Sequence, residues 1–178
     1  MMVASTMFLL LAGSALQSLF PAVAWLGYST VPVLAALVVY FALFRRAAAT
    51  FAFAILAGMF QDSLSLIPLG YSSFTFSLGA LLIFKYRELM LVQSGLTHML
   101  LTAALHALST LLLMILLLKD GLIYWQSLML LKIPGAIVLG LLAGPVVVAA
   151  TRALEEKLGL IQGNSDHYGS YRSHYGIG

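Results

Sequence analysis

The sequence predicts an all-α integral membrane protein of six transmembrane helices with both termini on the cytoplasmic side. Three observations predict it. Of the 178 residues, 62% are hydrophobic and 8% are charged, whereas soluble domains are about 45–50% apolar and about 25% charged. The apolar residues fall into six runs separated by short breaks, and the basic residues gather at alternate breaks. Nine basic and six acidic side chains cannot solvate the surface of a globule of this size, which excludes a water-soluble monomer and disorder over most of the length. A spanning helix takes about 20 residues, so the chain holds one domain and little outside the bilayer. The net charge of +3 is too small and too spread out to point to nucleic acid, and the absence of cysteine removes disulfides, thiolate catalysis and thiolate-bound metals.

The runs cover residues 3–20, 31–44, 50–67, 72–84, 97–118 and 128–151. The first is followed by Ala22-Val23-Ala24, which resembles a signal-peptidase site. Cleavage there would leave five helices, but the run carries no Lys or Arg at its start and Gln17 interrupts it late, so a retained helix is expected. The second and fourth runs are short, and each reaches a spanning length only if its flanks join the helix. No run alternates polar and apolar residues, the pattern of an outer-membrane barrel strand, and a strand with open edges would leave backbone groups unpaired in hydrocarbon. Residues 1–161 thus form the transmembrane domain. From 162 to 178 the composition changes to Gly, Ser, Tyr and His, with His167-Tyr168-Gly169 repeated as His174-Tyr175-Gly176. That segment is expected to be a disordered cytoplasmic tail, its histidines part of a solvated end rather than a metal site.

Orientation follows from the basic residues. Arg45 and Arg46 follow the second run, Lys85 and Arg87 the fourth, and Arg152, Lys157 and Arg172 the sixth; Lys119 and Lys132 lie on the other side. Positive charge is retained in the cytoplasm, and three separate breaks agree.

Polar residues inside the runs carry the remaining information. Asp62 is the only acid within a run, and an acid in the bilayer faces protein or water and is paired. At about 1.5 Å per residue it sits roughly 7–8 Å below the outer edge, and Lys132 enters the sixth run at a similar depth of about 6 Å. An Asp62–Lys132 pair is geometrically possible. The alternative has Lys132 snorkel outward and Asp62 bond locally. His98, Thr102, His106 and Ser109 share one face of the fifth helix. His106 lies at mid-membrane, where a histidine can relay protons or bind a ligand, but interhelical hydrogen bonding is the stronger reading of the stripe. Ala54 and Gly58 precede Asp62 at steps of four, and Ala136, Gly140 and Gly144 precede Pro145 likewise, spacing that lets helix backbones approach closely. Catalytic sets are scarce. A second facing acid for an aspartyl protease, a Gly-x-Ser-x-Gly elbow, a phosphate-cradling loop and a zinc-spaced His/Glu cluster are all missing from the sequence. A non-enzymatic protein without cofactor or metal is expected.

One stretch carries a family resemblance. Phe53-Ala54-Ile55-Leu56-Ala57-Gly58-Met59-Phe60-Gln61-Asp62 runs on through Ser63-Leu64-Ser65-Leu66-Ile67-Pro68-Leu69-Gly70. This resembles the signature of the MreD family of rod shape-determining membrane proteins: a Gly, an Asp four residues on, a short apolar stretch with small residues, then Pro-Leu-Gly. Pro32 opening the second run, the aromatic stretch before Arg45-Arg46, and Pro145 ahead of the charged end from Arg152 to Lys157 agree with it, so the resemblance covers about residues 3–160. Gln61 departs from the pattern, and the tail lies outside it. The resemblance implies a non-enzymatic scaffold in the inner membrane that maintains rod shape, working beside an MreC-like protein, MreB filaments, and the RodA glycan polymerase with its penicillin-binding transpeptidase. It implies a structural or partner-contacting role for Gly58, Asp62, Pro68, Leu69 and Gly70, with Lys132 and His106 as possible intramembrane polar partners. The basic loops at Arg45-Arg46 and Lys85–Arg87 are candidate cytoplasmic contacts. The implied six-helix layout is shared with the solute-binding membrane component of energy-coupling-factor vitamin transporters, which is the alternative function. Those components contact their coupling subunit through Ala-x-x-x-Ala in the first helix, and here Ala4, Ala12 and Ala15 have no alanine four residues on.

Overall fold

In a computed structural model, which describes residues 2–20, 22–65, 67–89, 94–122 and 128–157, six α-helices follow one another. They are α1 (Met2–Leu19), α2 (Val33–Phe44), α3 (Ala47–Ser65), α4 (Tyr71–Tyr86), α5 (Gly95–Lys119) and α6 (Leu128–Lys157), with single 3-10 turns at Ala24–Leu26 and Arg87–Leu89. Three stretches, Ala47–Ser65, Gly95–Lys119 and Leu130–Lys157, are long and apolar enough to cross a membrane. The tail expected from 162 onward lies outside the described residues.

The axis of the bundle is α2. It packs against each of the other five helices, and its residues from Val33 through Leu43 are all buried. A helix buried on every side needs no polar face, which accounts for the unbroken apolar run. The flanks that a spanning length would require do not join it. Pro32 caps its start and Arg45, in an extended conformation, caps its end, leaving 12 residues. At about 1.5 Å each that is about 18 Å, well short of a bilayer core of about 30 Å. Ahead of α2 the backbone is non-helical and bonds to itself. Val23 N–H donates to Ser29 C=O at 2.9 Å and Tyr28 N–H to Val23 C=O at 3.0 Å.

The helices alternate in direction. The ends of α1, α3 and α5 meet the starts of α2, α4 and α6 at one end of the bundle, where Gln17 accepts from Leu34 N–H, Asp62 accepts from Ser72 N–H, the Tyr71 hydroxyl bonds Asp120, and the Ser29 hydroxyl donates to Lys132 C=O. At the opposite end Arg45, Arg87 and Arg152 converge: Arg87 donates to Arg45 C=O at 3.0 Å, and Arg152 lies 5.0 Å from the centre of the Phe44 ring. Close to this basic end, Phe41 of α2 stacks on Phe53 of α3 at 4.0 Å between ring centres. The Thr50 hydroxyl donates to Phe41 C=O at 2.9 Å, tying α3 back onto α2.

Small residues set the closest helix contacts. A Cβ on Gly58 would collide with the backbone of Ser72 and Ser73, and one on Gly140 with the Ala103 backbone. A Cβ on Gly144 would come within 2.8 Å of His98 C=O and of the Thr102 hydroxyl. The small-residue faces of α3 and α6 therefore rest directly on α4 and α5. α6 also runs beyond its expected end at 151 to Lys157, through Pro134 and Pro145, because Thr151 and Glu155 are buried against the bundle.

Candidate functional site

The motif residues from Gly58 to Gly70 form one corner. Ala54, Gly58 and Asp62 recur at steps of four, so they share a face of α3. Gly58 brings the start of α4 against that face, and Asp62, one turn further on, meets it with its carboxylate. Oδ2 accepts Gly70 N–H at 2.7 Å, and Oδ1 accepts Ser72 N–H at 3.0 Å. The first N–H groups of a helix have no partner within it and a capping side chain normally supplies one. Gly70, at the cap position of α4, has no side chain to offer, so Asp62 caps α4 from a neighbouring helix. The negative charge also meets the positive end of the helix dipole.

Gly70 makes the geometry possible. It adopts φ 109° and ψ −19°, in the positive-φ region that disfavours side chains. Pro68 fixes φ just before it, and Ile67 N–H closes the turn onto Asp62 C=O at 3.1 Å. Asp62 is fully buried, while Pro68, Leu69 and Gly70 are exposed. Beside the corner lies an open cavity of about 760 Å³, lined by Asp62, Ser63, Ser65, Pro68, Leu69 and Leu117 among others.

Asp62 thus takes its partners from the backbone, and no ion pair joins it to Lys132 among the described residues. Lys132 is partly exposed near the start of α6. The polar face of α5 is buried as a stripe, with Thr102 at 0% and Ser109 at 3% exposure. His106 lies half-buried on the same face.

Two clusters escaped the sequence reading. The first is an amide relay. Leu34 N–H, an orphan donor at the start of α2, bonds Gln17 Oε1 at 3.0 Å. Gln17 Nε2 donates to Gln61 Oε1, and Gln61 Nε2 donates to Ser65 Oγ at 3.2 Å. A second helix start is therefore capped from a neighbour, and Gln61, the departure from the family pattern, is the residue that links α1 to α3. The other cluster is at the basic end. Glu155, 1% exposed, accepts the Tyr40 hydroxyl and pairs with Arg45 at 2.6 Å. Of the four basic loop residues, Arg45 and Arg87 are thus held in internal contacts, Arg87 also lying 4.1 Å over the Phe84 ring. Arg46 and Lys85 are exposed. Among the described residues no group of three His, Asp or Glu side chains gathers as a metal site.

Fold and site together define an all-helical protein with helices able to cross a membrane, and a buried acid at one end that caps a neighbouring helix. Comparison with protein-family models, with curated proteins and with solved structures gives no match for this chain.

Proposed function

We propose that the chain is a non-enzymatic membrane scaffold of the bacterial cell-elongation machinery, similar in role to MreD. In this reading all six helices cross the inner membrane. The basic end faces the cytoplasm and the Asp62 corner faces outward. The observation that carries the reading is the corner itself. The residues through which the sequence resembles that family, Gly58, Asp62 and Gly70, act together in one structural unit, with Asp62 holding Gly70 and Ser72. That unit presents Pro68 and Leu69 at the surface, where an MreC-like partner can dock. Arg46 and Lys85, exposed at the other end, are placed for contact with MreB filaments or with the wall-synthesis enzymes.

A second reading, the solute-binding component of a vitamin transporter, draws on the open cavity of about 760 Å³ beside the corner. Its one charged residue among the described lining, Asp62, already spends both carboxylate oxygens on backbone N–H groups, which favours the scaffold.

Depleting the chain in its native host tests the proposal. Cells are expected to lose rod shape and round up while they continue to grow, and re-expression of the wild-type chain is expected to restore them. Unchanged shape with a new requirement for an external vitamin would replace the scaffold by the transporter reading.

A further inference from the structure

At the Asp62 end a second, much smaller cavity of about 30 Å³ lies among five helices, inward of the corner. Gln17 of α1, Gln61 of α3, Ser72 of α4, and His106, Ser109 and Thr110 of α5 supply its polar lining, with Ala35 of α2 and its cap residue Pro32. Three of these residues present buried polar atoms with no hydrogen-bond partner among the described residues: Ser72 Oγ, Ser109 Oγ and His106 Nε2. Ser72 is 0% and Ser109 3% exposed, so bulk solvent does not satisfy them. The other polar groups are engaged, Thr110 through His106 C=O at 2.8 Å and the two glutamines through each other. Burying a hydroxyl unpaired is unfavourable, and three such atoms around one void call for a common partner.

We propose that this cavity is a buried-water site, in which one or two water molecules bridge Ser72 and Ser109 to His106 and to the Gln17–Gln61 pair. Size selects the guest. A water needs about 10–15 Å³ and two to four polar partners, whereas pockets for organic ligands run to about 300 Å³ or more. Charge selects it further. The lining contains no carboxylate, and the nearby Asp62 is committed to Gly70 and Ser72, so a metal cation would enter a low-dielectric site without a counter-charge. Ser72 stands between the two cavities. Its N–H binds the Asp62 carboxylate that lines the outer cavity, and the same residue lines the inner one. The water completes a polar layer joining α1, α3, α4 and α5 over the start of α2, and it supplies a partner for His106 Nε2 and Ser109 Oγ of α5.

Water-edited solid-state NMR of the isotope-labelled full chain in liposomes tests this. Magnetisation from water is expected to reach the side chains of Ser72, Ser109 and His106, but not Ala42, which is equally buried on α2 away from the cavity. In a Ser109→Val variant the added methyl groups fill the void. Transfer to Ser72 and His106 is then expected to be lost while the remaining spectrum stays that of the folded chain. Absence of transfer to Ser72 and Ser109 in the wild type, with exposed Ser63 clearly labelled, would show a dry cavity and overturn the proposal. Shifts at Ser72, Ser109 and His106 that appear only with added sodium or potassium ions would overturn it in favour of a cation.

Discussion

Replacing Asp62 by alanine is expected to lower stability by about 2–4 kcal/mol. The substitution removes the acceptor of two N–H groups at the start of α4, and a buried donor left unsatisfied costs about 1–3 kcal/mol. Ser72, 0% exposed, cannot turn its N–H to water, whereas the exposed Gly70 regains part of its hydration. The capping charge at the helix dipole is lost as well, worth about 0.3–1 kcal/mol. Asp62→Asn keeps one carbonyl acceptor but turns an amide N–H towards a backbone N–H, so roughly half of the loss is expected. Unfolding of the purified protein in mixed micelles, titrated with a denaturing detergent, gives the comparison. The expected order is wild type, then Asn, then Ala. An alanine variant as stable as wild type would show that the carboxylate is not what holds the corner.

The second large effect lies at the other end. Glu155→Ala is expected to destabilise by about 2–3 kcal/mol, at or below the low end of the roughly 3–5 kcal/mol for removing one partner of a buried pair. The discount reflects Arg45, whose side chain is 16% exposed and regains part of its hydration. Tyr40 has no such recourse, being fully buried with Glu155 as its hydroxyl's partner. Because Tyr40, Arg45 and Glu155 form one network, their substitutions should not add. A double-mutant cycle of Tyr40→Phe with Glu155→Gln is expected to give a coupling of about 1 kcal/mol. Additive losses would mean that the two side chains act independently.

These two residues also mark what the sequence could and could not reveal. The helices were legible because each is an apolar run, and the boundaries of α1 and α5 fall within two residues of the runs that predicted them. The flanks of the short α2 are not legible, since run length speaks of a lipid-facing helix and α2 is shielded by protein instead. Asp62 stood out as an acid in an apolar run, but its partners are backbone groups on the next helix, and backbone groups leave no mark in a sequence. Glu155 follows the last apolar run, and run length alone does not mark it as buried. Its signal was present: Gly144, Val148, Thr151 and Glu155 continue one helical face at steps of four, three and four, and all four are buried. Gln17 and Gln61 were read as an interruption and a departure, while in the fold they meet each other. Arg45 and Arg87 were read with their neighbours as loop charges, and packing draws them inward while leaving Arg46 and Lys85 outside.

The corner and the basic end serve different purposes in this account. The Tyr40–Glu155–Arg45 network closes the bundle around α2 at one end. The Asp62 corner closes it at the other and shapes the Pro68–Leu69 surface. The central claim is that this surface belongs to an assembly that builds the cell wall. Its most direct test is co-purification. The chain is drawn from native membranes in mild detergent, and the recovered proteins are identified by mass spectrometry, in parallel with the Asp62→Asn form. An MreC-like protein and wall-synthesis enzymes are expected with the wild type, in amounts reduced by the substitution at equal recovery of the chain itself. Recovery of a pair of ATPases and a coupling membrane subunit in their place would contradict the account and identify the chain as a transporter component.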